Sequence, residues 1–295
     1  PLQHIIHDSR NIQSLTNNII WNIFADQEHN IWLGTDYGIS LSRYNSALQF
    51  IPISQITGTG DGNQFYSLFR DSKGFYWFGG ANGLIRFTDP AGERHDAIWY
   101  RMGDKTYPLS HNRIRHIYED KEQQLWIATD GSINRYDYAT RQFIHYNIVD
   151  NTGTYNTNWT YYIFEDTAGQ LWISTCLGGI FVVDKHKLMQ STSGQYIAEQ
   201  NYSVHNGLSG MFINQIIPDN EGNVWVLLYN NKGIDKINPR TREVTKLFAD
   251  ELTGEKSPNY LLCDEDGLLW VGFHGGVMRI NPKDESQQSI SFGSF

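Results

Sequence analysis

Apolar and polar positions alternate along this chain in short runs, and the same alternation returns six times. Each copy opens with an apolar run, passes through a polar turn that begins with Asp, and resumes in a run centred on Trp. The pairs are Asp26 with Trp32, Asp71 with Trp77, Asp120 with Trp126, Asp166 with Trp172, Asp219 with Trp225 and Asp264 with Trp270. Asp always precedes Trp by six residues, and successive Trp lie 45, 49, 46, 53 and 45 residues apart. A period in the mid-forties marks a repeat architecture and is settled before any other feature. Residues 113–137, RIRHIYEDKEQQLWIATDGSINRYD, show the unit most plainly.

The pattern predicts the same strand series in each unit. Strand A is the run before Asp: residues 19–24, 64–69, 113–118, 159–164, 212–217 and 258–262. Strand B carries Trp. Strand C follows a short loop: residues 39–44, 84–87, 133–136, 180–183, 234–237 and 277–280. Strand D is fainter, as in 143–146 and 244–248. Short strands at even spacing with turns between them indicate an all-β array.

Strand B decides how the sheets pack. Both neighbours of each Trp are apolar, and side chains alternate faces along a strand. One face therefore carries two apolar residues and the other carries Trp with the residue two places on. That second residue is Gly34, Gly79, Ala128, Ser174, Leu227 or Gly272, small in five of six copies, which predicts room beside the indole. With both faces buried, each sheet has another on either side, as in a β-propeller of four-stranded antiparallel blades. Gly74, Gly169, Gly222 and Gly267 supply a turn residue between A and B, and Asn30 and Gln124 are read in that place in copies one and three. The predicted blades are residues 17–53, 63–101, 112–147, 158–203, 211–248 and 257–295, one propeller domain in all. Residues 2–7 read as a lone outer strand and 289–295 as the outer strand of blade six, which leaves a six-bladed ring or an incomplete seven-bladed one.

Composition narrows the partners. The 295 residues carry a net charge of −9, with 14% aromatic and 19% charged residues. An acidic chain argues against nucleic acid or an anionic membrane as partner. No apolar run is long enough to cross a bilayer as a helix. Cys176 and Cys263 fall at different phases of the repeat and are read as unpaired. The chain opens Pro-Leu-Gln-His without Met or a signal peptide and is read as a piece of a longer protein.

The copies IRHIYEDKEQQLWIATDGSINRYD and NNIIWNIFADQEHNIWLGTDYGISLSRY resemble the two-component regulator propeller repeat. The resemblance covers essentially the whole chain. It implies the periplasmic sensor region of a hybrid two-component system of the kind found in glycan-degrading gut Bacteroidetes. Such a region recognises an oligosaccharide, contacts other domains of the same sensor, forms a homodimer in the full-length protein and signals to a histidine kinase that this chain does not contain. Blade five departs from the pattern, with Leu227 and Leu228 in place of Gly-Thr.

Ligand candidates follow from phase. Five residues before each turn Asp stand Trp21, Tyr66, Arg115, Tyr161, Asn214 and Asn259, whereas two places further on the residue is always Ile or Leu. Sugars need such a mixture: flat rings to stack on and planar polar groups for hydroxyls. Tyr37, Asp130, Tyr229 and His274 lie in the loops between strands B and C, expected on the same face. The loops from D to A are long and polar in 101–112 and 148–158, and loops on a rigid scaffold concentrate binding residues. Packing between blades is the competing account of the row, and domain contacts that of the loop aromatics. Asn18, Asn63, Asn112 and Asn158 recur eight residues before Asp and read as turn ties.

Catalytic motifs are missing: there is no nucleophile elbow, phosphate loop or zinc spacing, and neither a metal nor a cofactor is expected. Six-bladed sialidases place Gly two and Trp five residues after their Asp, where this chain has three and six. Asp264-Glu265-Asp266-Gly267 hints at calcium but lacks a following acidic ligand. The enzymatic alternative is a propeller lyase of the streptogramin-lyase type, with His116 and His274 as candidate bases. A third reading is a structural and dimerisation platform that binds nothing.

Overall fold

The computed structural model describes residues 5–44, 64–88, 97–106, 108–192, 194–229 and 233–291. The fold class is the β-propeller, and the chain falls into two compact units, residues 1–145 and 146–295. Unit one holds three blades. The first is β1 (Ile20–Ala25), β2 (Ile31–Thr35) and β3 (Gly38–Ser42). The second is β4 (Phe65–Arg70), β5 (Tyr76–Gly80), β6 (Gly83–Phe87) and β7 (Ile98–Tyr100). The third is β8 (Ile114–Glu119), β9 (Leu125–Thr129), β10 (Ser132–Asp137) and β11 (Gln142–Tyr146). Unit two opens with β12 (Ile148–Val149). Blade four follows, with β13 (Thr160–Glu165), β14 (Gln170–Thr175), β15 (Ile180–Asp184), helix α1 (Lys185–Gln190), β16 (Tyr196–Ile197) and β17 (Gln200–Tyr202). Blade five is β18 (Ile213–Pro218), β19 (Val224–Leu228), β20 (Ile234–Asn238) and β21 (Glu243–Leu247). Blade six is β22 (Pro258–Cys263), β23 (Leu269–Phe273), β24 (Gly276–Ile280) and β25 (Gln287–Ser291). Blades two to six are four-stranded antiparallel sheets in chain order; blade one shows three strands, and residues 45–53 of its predicted span lie outside the described residues.

Two expectations at the ends change. Ile5–His7 form no strand and Leu2–His4 lie outside the described residues, so no lone outer strand is seen. The outer strand of blade six is β25, which starts earlier than predicted; residues 292–295 lie outside the described residues.

The Asp–Trp spacing has a direct cause. In every copy the indole Nε1–H donates to Asp Oδ2, at 2.8, 2.7, 2.9, 2.9, 2.9 and 2.6 Å from blade one to blade six. The other oxygen of each carboxylate accepts the amide four residues on. One side chain thus closes the A–B turn and satisfies a polar group that the buried indole cannot give to water. The left-handed position of the turn is three residues after Asp, where Gly74, Gly169, Gly222 and Gly267 stand. In copies one and three it is filled by His29 and Gln123, both at positive φ, and not by Asn30 and Gln124. Asn30 instead adds a second bond to Asp26 through its carboxamide.

Blades interlock by unlike faces. In unit one Trp32 packs with Leu68, Tyr76 and Phe78 of blade two, and Trp77 with Ile114, Ile117, Leu125 and Ile127 of blade three. Trp225 and Leu227 meet Leu261, Leu269 and Val271 in the same way in unit two. The small residue two places after Trp serves this contact and not the indole. A Cβ on Gly34 would stand 2.7 Å from the Phe65 carbonyl, and one on Gly79 2.4 Å from the Ile114 side chain. The strand A residue that is always Ile or Leu lies in these contacts: Leu68 and Ile117 are buried, whereas Ile23 on the first blade is 68% exposed.

Blade four carries an insertion, which accounts for the longest repeat interval. After β15, Asp184 caps helix α1 by accepting the amides of His186 and Lys187. The chain returns through β16, which pairs parallel with β12, before β17 completes the sheet. Lys185 at the helix start is buried against Glu165 at 2.9 Å.

Candidate functional site

The six-residue row has one backbone feature in common. Ile20 faces Thr35 and Asn22 faces Gly34, so Trp21 is an extra residue between two ladder positions. The register shifts identically around Tyr66, Arg115, Tyr161, Asn214 and Asn259. Each candidate is therefore the unpaired residue of a β-bulge. A bulge breaks the alternation of faces and re-aims a side chain, which is why bulges gather at sheet edges and sites. Periodicity alone places these residues on a packing face; the bulge takes them out of it.

In unit one the row is joined by the loops between strands B and C. Trp21 Nε1 donates to Asp36 Oδ1 at 3.1 Å, and the Trp21 and Tyr66 rings meet edge to face at 5.5 Å. Gln64 Nε2 donates to the same Asp36 oxygen at 2.6 Å, and the Tyr66 hydroxyl donates to Gln64 Oε1. The Arg115 guanidinium lies over the Tyr66 ring at 5.7 Å and grips Asp130 with two bonds of 2.8 and 3.3 Å. Arg113 stands 3.8 Å from Asp130. Burial pushes the Tyr66 phenol up, against the pull of Arg113 and Arg115 and with Asp36 and Asp130 adding to the rise, so it remains a neutral donor. Rings, carboxylates and a guanidinium thus alternate along one end of three blades. Thr35 and Thr129 hold the loops by donating to the Gly38 and Ser132 carbonyls.

Sequence reasoning missed Asp36 and Gln64. Asp36 has the phase of Asp130, one place after the last residue of strand B, and that phase was the available signal. Tyr37, chosen from the same loop, is exposed one place further on; its backbone amide is tied to Thr35.

In unit two, Tyr161 meets Phe212 edge to face at 5.2 Å, and Phe212 stacks on Tyr229 at 4.7 Å. Tyr229 is exposed. Asn214 is half-buried, and Asn259 and His274 are exposed. A Cβ on Gly272 would stand 3.1 Å from Asn259 Oδ1, so the glycine leaves that carboxamide its space. Asn18 and Asn112 tie turns as expected, accepting from the amides of His7 and Met102; Asn63 lies outside the described residues.

Among the described residues no cluster of three or more His, Cys, Asp or Glu could hold a metal ion. His116 sits opposite Ala128 in strand β8 and stacks on Tyr118 at 6.5 Å. Neither Cys176 nor Cys263 is in a disulfide. Among the described residues no helix is long and apolar enough to cross a membrane.

The model of the two component regulator propeller family matches residues 14–37, 59–82 and 108–131. No curated protein matches the chain in sequence. Among solved structures, the extracellular domain of the hybrid two component system BT4673 from B. thetaiotaomicron is 99% identical with a TM-score of 0.81. The match covers 100% of this chain and 39% of that one, so the chain spans well under half of that relative. The extracellular domain of the hybrid two component system BT3049 from the same organism is 20% identical over 98% of this chain and 36% of that one, with a TM-score of 0.75. Virginiamycin B lyase from Staphylococcus aureus is 15% identical over 94% of this chain and 85% of that one, with a TM-score of 0.68. These last two are likenesses of fold.

Proposed function

We propose that this chain, which belongs to the two-component regulator propeller family, is a non-catalytic sensor propeller that meets an oligosaccharide on its bulge row. The observation that carries the reading is the bulge itself, repeated in all six copies at the residue that mixes aromatic and polar character. In unit one Trp21, Tyr66, Arg115 and Asp130 form a surface of rings and planar polar groups; in unit two Tyr161, Asn214, Tyr229, Asn259 and His274 offer the same chemistry. Rings stack on the C–H faces of sugars, and guanidinium, carboxylate and carboxamide groups bond their hydroxyls. The relatives are extracellular domains of two component systems, which supports a sensor outside the cytoplasm. We place it in the periplasm, as part of an inner-membrane protein that dimerises and passes the signal to a histidine kinase through further domains of the same sensor.

The test is a thermal-shift screen of this chain against defined neutral and acidic oligosaccharides, with calorimetry on each hit. A specific hit weakened roughly tenfold or more by Arg115→Ala or Trp21→Ala is the expected result, as for the truncation of a central contact. If every hit keeps its affinity in both variants, the row is packing. If a well-folded sample binds none of the glycans, this propeller is a platform for the rest of the sensor.

A further inference from the structure

The entry of blade four holds a cavity of about 190 Å³ that the bulge row does not include. It lies between the long loop before β13 and the loop after β14, and Tyr155, Asn156, Asn158, Trp159 and Leu177 line it. Three features set this corner apart from its equivalents. Trp159 adopts a left-handed backbone, φ +56°, which Ile19, Gln64, Arg113, Phe212 and Ser257 at the same phase do not. A bulky residue is rarely held there without a reason. The indole is 50% exposed, and the Trp159 carbonyl still accepts the Cys176 amide at 3.0 Å.

Asn158 also differs from its counterparts. Asn18 and Asn112 use their carboxamides to tie turns, whereas the Asn158 side chain makes no hydrogen bond among the described residues and faces the cavity. The loop after β14 is one residue longer than in blades one, two, three and six, and the extra length carries Leu177 out to 67% exposure. Gly178 presses this loop onto its neighbour, for a Cβ there would stand 2.7 Å from the Asn156 carbonyl.

We propose that this pocket is a seat for one neutral sugar ring, clamped between Trp159 and Leu177 and bonded by the carboxamides of Asn156 and Asn158. The proposal rests on the oligosaccharide reading above and adds a residue-level site and a ligand class. No lining residue is charged, so a carboxylate or sulfate would lose its water with no ionic partner, a cost that an uncharged ring avoids. An indole and a phenol offer apolar faces; the Asn158 carboxamide offers both a donor and an acceptor for hydroxyls, and Asn156, whose Oδ1 accepts the Asn158 amide at 2.9 Å, offers its NH2 donor. The volume holds a single ring and leaves the rest of a longer ligand outside.

Calorimetry of the full chain decides it. The probes are xylo-, manno-, cello-, galacto- and arabino-oligosaccharides, with oligogalacturonides and heparin oligosaccharides as charged counterparts and hexaproline as a peptide. Trp159→Gly removes the ring yet keeps the backbone, since glycine adopts positive φ freely; Asn158→Ala removes the carboxamide from an exposed position. The expected result is a neutral probe whose affinity falls roughly tenfold or more in each variant and is unchanged in Tyr44→Ala, with thermal unfolding unaltered in all three. Neutral binding that survives Trp159→Gly but falls with Arg115→Ala overturns the pocket and leaves the sensor reading standing. Binding of charged probes alone overturns the ligand class. Hexaproline bound in a Trp159-dependent way makes the pocket a peptide seat. If no glycan binds the folded chain at all, the oligosaccharide reading falls, and this proposal with it.

Discussion

At the residue scale each blade is built around one carboxylate and one indole. Asp120 shows the arrangement: its two oxygens take the amides of Glu122 and Gln124 and the Trp126 indole N–H. Trp126 is fully buried. Trp126→Ala is expected to cost about 3–5 kcal/mol, as for other buried aromatics. Asp120→Ala is expected to cost about 2–4 kcal/mol, because it opens the turn and leaves a buried donor without an acceptor. The two losses share one bond, so the double variant falls short of their sum. Urea unfolding of the three variants measures this, and full additivity would mean that the bond carries no coupling.

At the element scale, the strand A positions are equal in sequence and unequal in place. Ile23 and Ile117 occupy the same step of the repeat, but Ile117 is packed in the core of unit one and Ile23 is mostly exposed. Ile117→Ala is therefore expected to cost about 2–5 kcal/mol, and Ile23→Ala no more than about 0.5 kcal/mol. Equal costs in denaturant titrations would show that something covers Ile23 in solution. Much of the packing was legible beforehand, since six copies of one pattern leave few ways to stack sheets. The insertion in blade four was not. Helix α1 is only six residues long, too short for a periodic signal to show. The buried pair of Lys185 and Glu165 joins residues 20 apart that no local pattern connects.

At the scale of the whole molecule, a few hydrogen-bonded carboxylates, Asp26, Asp150, Asp184 and Asp264, make stability acid-labile. Burial alone would raise the Asp26 carboxyl, yet bonds from Trp32, Asn30 and Tyr76 hold it below its ordinary value of 3.8. The Trp270 indole and the Leu268 amide hold Asp264 below it as well. Backbone bonds at the cap of α1 do the same for Asp184, and Asp150 is lowered by Thr152 and the Tyr155 amide despite burial. A carboxyl whose pKa is depressed on folding stabilises the native state above its unfolded value, and that contribution is lost as pH falls through the folded value. Asp235, pushed up by burial, acts in the opposite sense and adds stability as pH falls through its folded value. Below about pH 4 the depressed groups dominate, and the melting temperature followed by circular dichroism should fall steeply. A melting temperature that rises below pH 4 would contradict this assignment. Both units contribute such groups, so loss of stability is expected in each.

By itself the sequence determined the repeat, the strand series, the propeller class and the phase of every candidate residue. Those properties depend on spacing, and the Asp–Trp bond holds the spacing in all six copies. Three things were decided by tertiary structure alone. The row residues are bulges, because a register shift arises between two strands and leaves no mark on either one. Asp36 and Gln64 belong with Trp21 and Tyr66, because a shared carboxylate oxygen joins residues of two blades that stand 28 apart in the chain. Trp159 lines a pocket with Leu177, because the loops before β13 and after β14, which no local pattern relates, come together there.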